Sequence, residues 1–250
     1  MEQGSSNQEE GTPYAPPRAD LSEKPLQPEA LIDTGALTKW AVRFLYADMA
    51  MAAVAVISGL LEYRLLTRLR DGVALSDQVI EANGLRQGVI GLVQTLVLLT
   101  AMILVARWIH RANQNCRRLG AADMRFTPGW AVGWYFIPLL SMWKPYQAMK
   151  EIWRASAAPA DWRRQPTPML MPVWWGMWLL SLALGSGIMQ LARHANSVND
   201  YLLLGQVTLA ADFLEIPLAF ALIILVRRIH AMQHSGVASI GQPWAANRTA

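Results

Sequence analysis

Asp212 and Glu215 stand inside TLAADFLEIPLAFALIILV, a run that carries no other charge. Spacing i, i+3 puts both carboxyls on one face of a helix. They fall about ten and thirteen residues into an apolar stretch, which at ~1.5 Å per residue is near the middle of a ~30 Å hydrocarbon core. Ionisable groups at that depth are costly, and they point to an ion, proton or substrate pathway. Two close carboxyls in a low dielectric share a proton or a cation, because both cannot comfortably ionise. Pro217 follows and removes a backbone donor, freeing a carbonyl nearby. The competing reading is structural: both groups are buried and hydrogen-bonded to Gln94, Thr95 or Gln190 on neighbouring helices. Asp48, on an earlier apolar run, is shallower. It reads as a structural partner for a basic side chain reaching in from the cytoplasmic side.

Other chemistry is sparse. His110 and His230 end two similar stretches, ILVARWIHRANQ and IILVRRIHAMQ. Two histidines at matching depth are the minimum for a haem or a metal, but both follow arginines at the interface, and no further ligands are evident. No metal and no cofactor is expected. His194 and Asp200 are too far apart for an acyltransferase HxxxxD pattern, and no Gly-rich phosphate loop, HExxH or GxSxG occurs. The reading is against an enzyme. Cys116 is the one cysteine, so no intramolecular disulfide can form.

These residues need elements to hold them, and the composition says which. Charged residues make up 16% of the 250 and hydrophobic ones 53%, against about 25% charged in a soluble domain. Four runs are long enough to cross a bilayer, over 40–61, 88–106, 172–191 and 201–226. Lysines and arginines gather before the first run, between the second and third, and after the fourth, so both termini and the central loop are expected in the cytoplasm. The matching ends of the second and fourth runs allow a parallel repeat of two hairpins. Ser181, Ala183, Gly185 and Gly187 let helices approach closely, within the chain or between copies in a homo-oligomer. Residues 1–36, rich in Pro, Glu, Gln and Ser, read as a disordered cytoplasmic tail. Residues 37–236 form the membrane domain, and 237–250 a second cytoplasmic tail.

The central loop holds an anomaly, FTPGWAVGWYFIPLLSMWKPYQAMKEIWRAS over 126–156. Its first half is apolar but too short to span and broken by Pro138. Trp130, Trp134, Tyr135, Phe136 and Trp143 suit the headgroup level. Tyr146, Met149, Ile152 and Trp153 then recur at helical spacing between Lys150, Glu151 and Arg154. Two placements stand: a half-helix dipping into the inner leaflet with an amphipathic helix lying on it, or both pieces packed on the helix ends. Arg125, Lys144 and Arg154 beside these rings suit anionic headgroups better than nucleic acid. Asn113 and Asn115 either bind headgroups or cap the second span.

The runs NQNCRRLG, FTPGWAVGWYFIP and WKPYQAMKEIWRAS resemble the bacterial domain-of-unknown-function family 4328. The matching positions include Asn113, Asn115, Leu119, Gly120, Pro128, Trp130, Gly133, Trp134, Pro138, Trp143, Pro145, Gln147, Trp153 and Ser156. The family's arginine before the third proline is Lys144 here. The resemblance runs over roughly 40–235. It implies a bacterial multi-pass membrane protein and supplies no reaction, cofactor or catalytic residue. The expected fold is all-α, with four transmembrane helices and an interfacial helical segment, in the bacterial inner membrane. The leading functional reading is a non-enzymatic protein whose segment 126–156 binds anionic lipid or a protein partner. The alternative is a small transport or ion-coupling protein that uses Asp212 and Glu215.

Overall fold

The structure, a computed structural model, describes residues 30–240, with side chains up to Ser235. Of the tails expected over 1–36 and 237–250, residues 1–29 and 241–250 lie outside the described residues, while α1 begins at Gly35 and α6 runs on to Ile240. Four helices are long and apolar enough to cross a membrane: α1 (Gly35–Arg70), α2 (Asp77–Arg118), α5 (Leu170–His194) and α6 (Val198–Ile240). Between α2 and α5 come α3 (Pro128–Gly133), short 3₁₀ turns over 134–136 and 140–142, α4 (Lys144–Ala157) and a 3₁₀ stretch over 159–164. No strand occurs among the described residues.

The long helices extend beyond the apolar runs that announce them, because polar residues continue each helix past the hydrocarbon limits. They are arranged as a row, α2–α1–α6–α5, in which α1 packs along α6 most extensively. The α1 side of that seam reads Thr38, Ala41, Leu45, Asp48, Ala52 and Ala55, all buried at alternating steps of three and four. Small residues let the two backbones come close. A Cβ on Gly59 would sit 3.3 Å from Leu209 Cδ1. Outer faces stay apolar and exposed, as Leu92, Leu96, Leu99 and Ile103 of α2 are, which in a bilayer is the lipid-facing side. Gly185 and Gly187 of α5 have open space where a Cβ would go, so these two glycines bring no neighbouring helix close among the described residues.

The densest core lies at one end of the row, where α4 tucks under α2, α5 and α6. Met149 and Ile152 are fully buried there with Trp108, Ile109, Cys116, Met171, Val226 and Ile229. The amphipathic stripe of α4 is therefore turned into the protein, leaving residues 128–143 as the outward part of the segment. Amphipathic spacing alone cannot distinguish a lipid surface from a protein surface. The far end of the row has only the short turns 71–76 and 195–197.

Candidate functional site

The seam between α1 and α6 buries one ionisable group, Asp48, only 3% exposed and flanked by Leu45 and Ala52. Its carboxyl lies beside that of Glu215, and Asp48 Oδ1 meets no N–H or O–H donor among the described residues. Two carboxyls can hydrogen-bond only while one of them carries a proton. From α2, Gln94 Nε2 donates to Asp212 Oδ1 at 3.1 Å and to Glu215 Oε2 at 3.1 Å. Helical spacing on α6 thus brings Asp212 and Glu215 to the same glutamine, and helix packing adds Asp48. The expected pairing of Asp48 with a basic side chain is not what forms; a carboxyl occupies that place. Thr95 is not a partner either, since its hydroxyl donates to Gly91 of its own helix. Pro217 and Phe213 are exposed on α6, so the backbone break faces outward, away from the carboxyls.

What surrounds this cluster is asymmetric. Towards the α4 end the seam is closed by buried Ala41, Val42 and Leu45 of α1, Ala101 of α2, and Ala219, Ile223 and Val226 of α6. Towards the opposite end, polar side chains continue along α1 and α2. Gln87 Nε2 donates to Glu62 Oε2 at 2.7 Å, Asn83 Nδ2 to Glu62 Oε1 at 3.3 Å, and Arg86 Nε to Ser58 Oγ at 3.1 Å. Gln206 of α6 reaches the Tyr63 hydroxyl at 3.4 Å. Gln87 and Gln94 are seven residues apart and share a helix face, separated by about 10 Å of rise.

The residues expected at the interface have mixed fates. Trp130 is half exposed and stacks on Trp134, ring centroids 4.6 Å apart. Lys144 Nζ lies 5.7 Å from the Trp134 ring centre and 5.9 Å from that of Phe126, so its charge is held over two faces. Tyr146 packs beside Trp175, Trp153 packs against the core, and Arg154 Nε donates to Thr167 Oγ1 at 3.1 Å. Phe136, Leu139, Met142 and Trp143 point outward, Leu139 at 71% exposure. Leu139 also holds φ +65°, with Leu140 N–H bonded to Pro138 O at 2.8 Å. That is a three-residue turn which non-glycine residues rarely adopt.

The family-type positions form a lacing. Asn113 donates to the Phe126 carbonyl at 3.0 Å, and Asn115 clamps Ile32 through both its N–H and its C=O, each at 3.0 Å. Residues 30–34 are accordingly tied to the membrane domain and do not belong to a free tail. Gly120, φ +94°, ends α2 with its N–H on Arg117 O and the N–H of Ala121 on Cys116 O, a closure that favours glycine. Pro128 and Pro145 stand in the first turns of α3 and α4, where a missing N–H costs nothing. Pro138 precedes the Leu139 turn. Gln147 Oε1 and Trp134 Nε1 are buried without a partner among the described residues.

Two residues of this lacing had no sequence signal. Glu151 accepts from the backbone N–H groups of Arg125 and Phe126. Burial pushes its carboxyl above the ordinary 4.5, against the pull of those N–H groups and of Arg117 and Arg125. Gln233 of α6 donates to Ala112 O at 2.9 Å and to Ser156 Oγ at 3.0 Å, joining α6, α2 and α4. Of the two histidines, His230 has its Nδ1 within hydrogen-bond distance of the Thr34 and Thr38 hydroxyls, at 3.1 and 3.3 Å, and neighbours His234. No group of three metal-binding side chains occurs among the described residues.

An all-α, multi-pass membrane protein with a buried carboxyl cluster is the class these features define. The family model described as Domain of unknown function (DUF4328) matches residues 71–231, and the chain belongs to that family. No curated protein and no solved structure matches. The match is narrower than the sequence resemblance, since it begins after α1. Gln94, Asp212 and Glu215 lie within it and Asp48 outside it.

Proposed function

We propose that this chain is a small ion- or proton-coupling membrane protein whose site is the cluster of Asp48, Gln94, Asp212 and Glu215. One observation carries the reading: two carboxyls of α6 share one glutamine of α2, and a third carboxyl, from α1, lies beside Glu215, deep inside the spanning region. Ionisable groups so placed are costly to keep for packing alone. The polar ladder of Ser58, Glu62, Asn83 and Gln87 on one side, and the apolar closure on the other, favour exchange from the end opposite α4. Asp48 and Glu215 share a proton; loss of that proton, or entry of a cation between them, changes what holds α1 against α6.

The orientation belongs to the same proposal. The α4 end gathers Lys39, Arg43, Arg107, Arg111, Arg117, Lys144, Lys150 and Arg227, whereas at the other end Arg64, Arg68, Arg70, Arg86 and Arg193 are offset in number by Glu62, Asp71, Asp77, Glu81 and Asp200. This supports a cytoplasmic α4 end and an inner-membrane location, so protons or cations would enter from the external side. The test is a reconstitution in liposomes carrying a trapped pH dye, with an imposed proton or sodium gradient. Wild-type protein should collapse the gradient faster than empty liposomes, and Glu215→Gln should abolish the difference. Wild-type vesicles that behave like empty ones would sink the proposal.

A second reading is favoured by the outward side chains of residues 128–143. Phe136, Leu139, Met142 and Trp143 are exposed around the Leu139 turn, on a segment that packs beside Trp175 and Trp178 of α5, an arrangement suited to immersion in the headgroup region or to a protein partner. A fluorophore on Cys substituted for Leu139 should be quenched by lipid-borne quenchers if the tip is immersed. Quenching only by aqueous iodide would exclude immersion.

A further inference from the structure

A cavity of about 350 Å³ opens between the start of α1 and the last turns of α6, lined by Thr38, Lys39, Arg43, Tyr46, Arg227 and His230. Three of these are cations, and none of the three forms an ion pair with a carboxylate among the described residues. Aromatic faces hold two of them. The Arg43 guanidinium lies 5.0 Å from the Trp40 ring centre, and that of Arg227 lies 5.5 Å from the Tyr46 ring centre. The N-terminus of α1 adds nothing to this charge, because the Gly35 N–H donates to the Asp33 carboxylate at 2.7 Å. Three cations against the one nearby carboxylate, Asp33, leave the cavity favouring an anion.

The surroundings name the anion's carrier. Continuing up α1 from Lys39, Arg43 and Tyr46, steps of three and four reach Ala50, Ala53 and Ile57, all exposed. On α6, steps of seven back from Arg227 reach Phe220 and Phe213, 49% and 67% exposed. By helical register these exposed small residues of α1 and exposed rings of α6 continue the flank that carries the cavity, and so define an apolar furrow leading into the spanning region. A soluble anion has no use for such a furrow. The volume suits a phosphorylated headgroup and leaves no room for chains, which would lie in the furrow. We infer that this flank is a binding site for one anionic glycerophospholipid, its phosphate between Lys39, Arg43 and Arg227 and an acyl chain against Ala50 and Ala53. The site is separate from the segment 126–156 and stands independently of the ion-coupling reading.

The test uses full-length protein in mild detergent, with native mass spectrometry and thermal unfolding as readouts. Phosphatidylglycerol should be retained as a one-to-one adduct and should raise the unfolding temperature, whereas phosphatidylcholine and inorganic phosphate should do neither. Arg43→Gln with Arg227→Gln should weaken retention by about fivefold per cation removed, and Arg163→Gln with Arg164→Gln, the same charge loss at an exposed 3₁₀ turn, should not. Ala53→Trp blocks the furrow without touching a charge and should also weaken retention, which keeps the test decisive if the arginine variant misfolds. Equal binding of the two lipids would overturn the inference, as would equal loss in the 163/164 control. Protection by inorganic phosphate alone would reassign the cavity to a soluble anion, and full retention by Ala53→Trp would remove the furrow from the site.

Discussion

Asp48 on α1 and Glu215 on α6 stand carboxyl beside carboxyl across a seam otherwise made of small and apolar side chains. A hydrogen bond between them needs a proton, so the purified protein should show the infrared band of a protonated carboxylic acid. Asp48→Asn with Glu215→Gln should abolish it. A spectrum unchanged by the double substitution would mean that the pair does not share a proton. Either single amide substitution can still bridge to the remaining carboxyl, so each should fold and unfold within a few degrees of wild type.

Gln94 is the one donor offered to both Asp212 and Glu215. Replacing it with leucine keeps the volume but leaves two carboxyl oxygens without that donor, at about 1–3 kcal/mol for each buried group left unmet. Gln94→Leu should therefore lower the unfolding temperature in detergent by several degrees. Leu92→Ala, on the lipid face of the same helix, should barely change it. If the two variants behaved alike, the glutamine would have no special role in holding α2 to α6.

How far the sequence could be read depends on the range of the interaction. Four apolar runs and the charge excess at one end are local features, and they yield the spans directly. The pairing of Asp212 with Glu215 is also local, set by one helical turn. Asp48 needed the register of α1 against α6, which no single segment carries, although its place in the run Ala41, Leu45, Asp48, Ala52, Ala55 puts it on the seam rather than facing lipid. The stripe on α4 has the same spacing whether lipid or protein covers it. Only tertiary packing decides that, and Met149 and Ile152 show that protein does. Gln233 has no periodic signal at all, since a lone glutamine near a helix end resembles a solvated one.

Asn115 holds Ile32 by two backbone bonds, 83 residues away in sequence. Asn115→Ala should leave the membrane helices in place yet free the segment ahead of α1. Hydrogen exchange at the Ile32 amide should accelerate markedly, and a protease should cut near residue 30 at lower concentration. Unchanged exchange at Ile32 would show that other contacts, such as the buried Thr34, suffice to hold the strand of chain.

Glu151 offers a pH test outside the spans. Its carboxyl receives the backbone N–H groups of Arg125 and Phe126, and burial raises its titration above the ordinary 4.5. A carboxyl raised on folding binds its proton more tightly in the native state. Its contribution is therefore fullest below pH 4.5 and declines as pH climbs through the raised value. Glu151→Gln removes this titration, so the slope of unfolding temperature against pH just above 4.5 should become less negative than in wild type. The substitution has its own cost, because one of the two N–H groups then meets an amide NH₂ instead of an oxygen, at about 1–3 kcal/mol. The variant should thus be less stable than wild type at every pH, with the gap narrowing as pH rises. A gap that widened with pH would mean that the backbone N–H groups and the neighbouring arginines outweigh burial, and that Glu151 is held as a carboxylate that strengthens the fold.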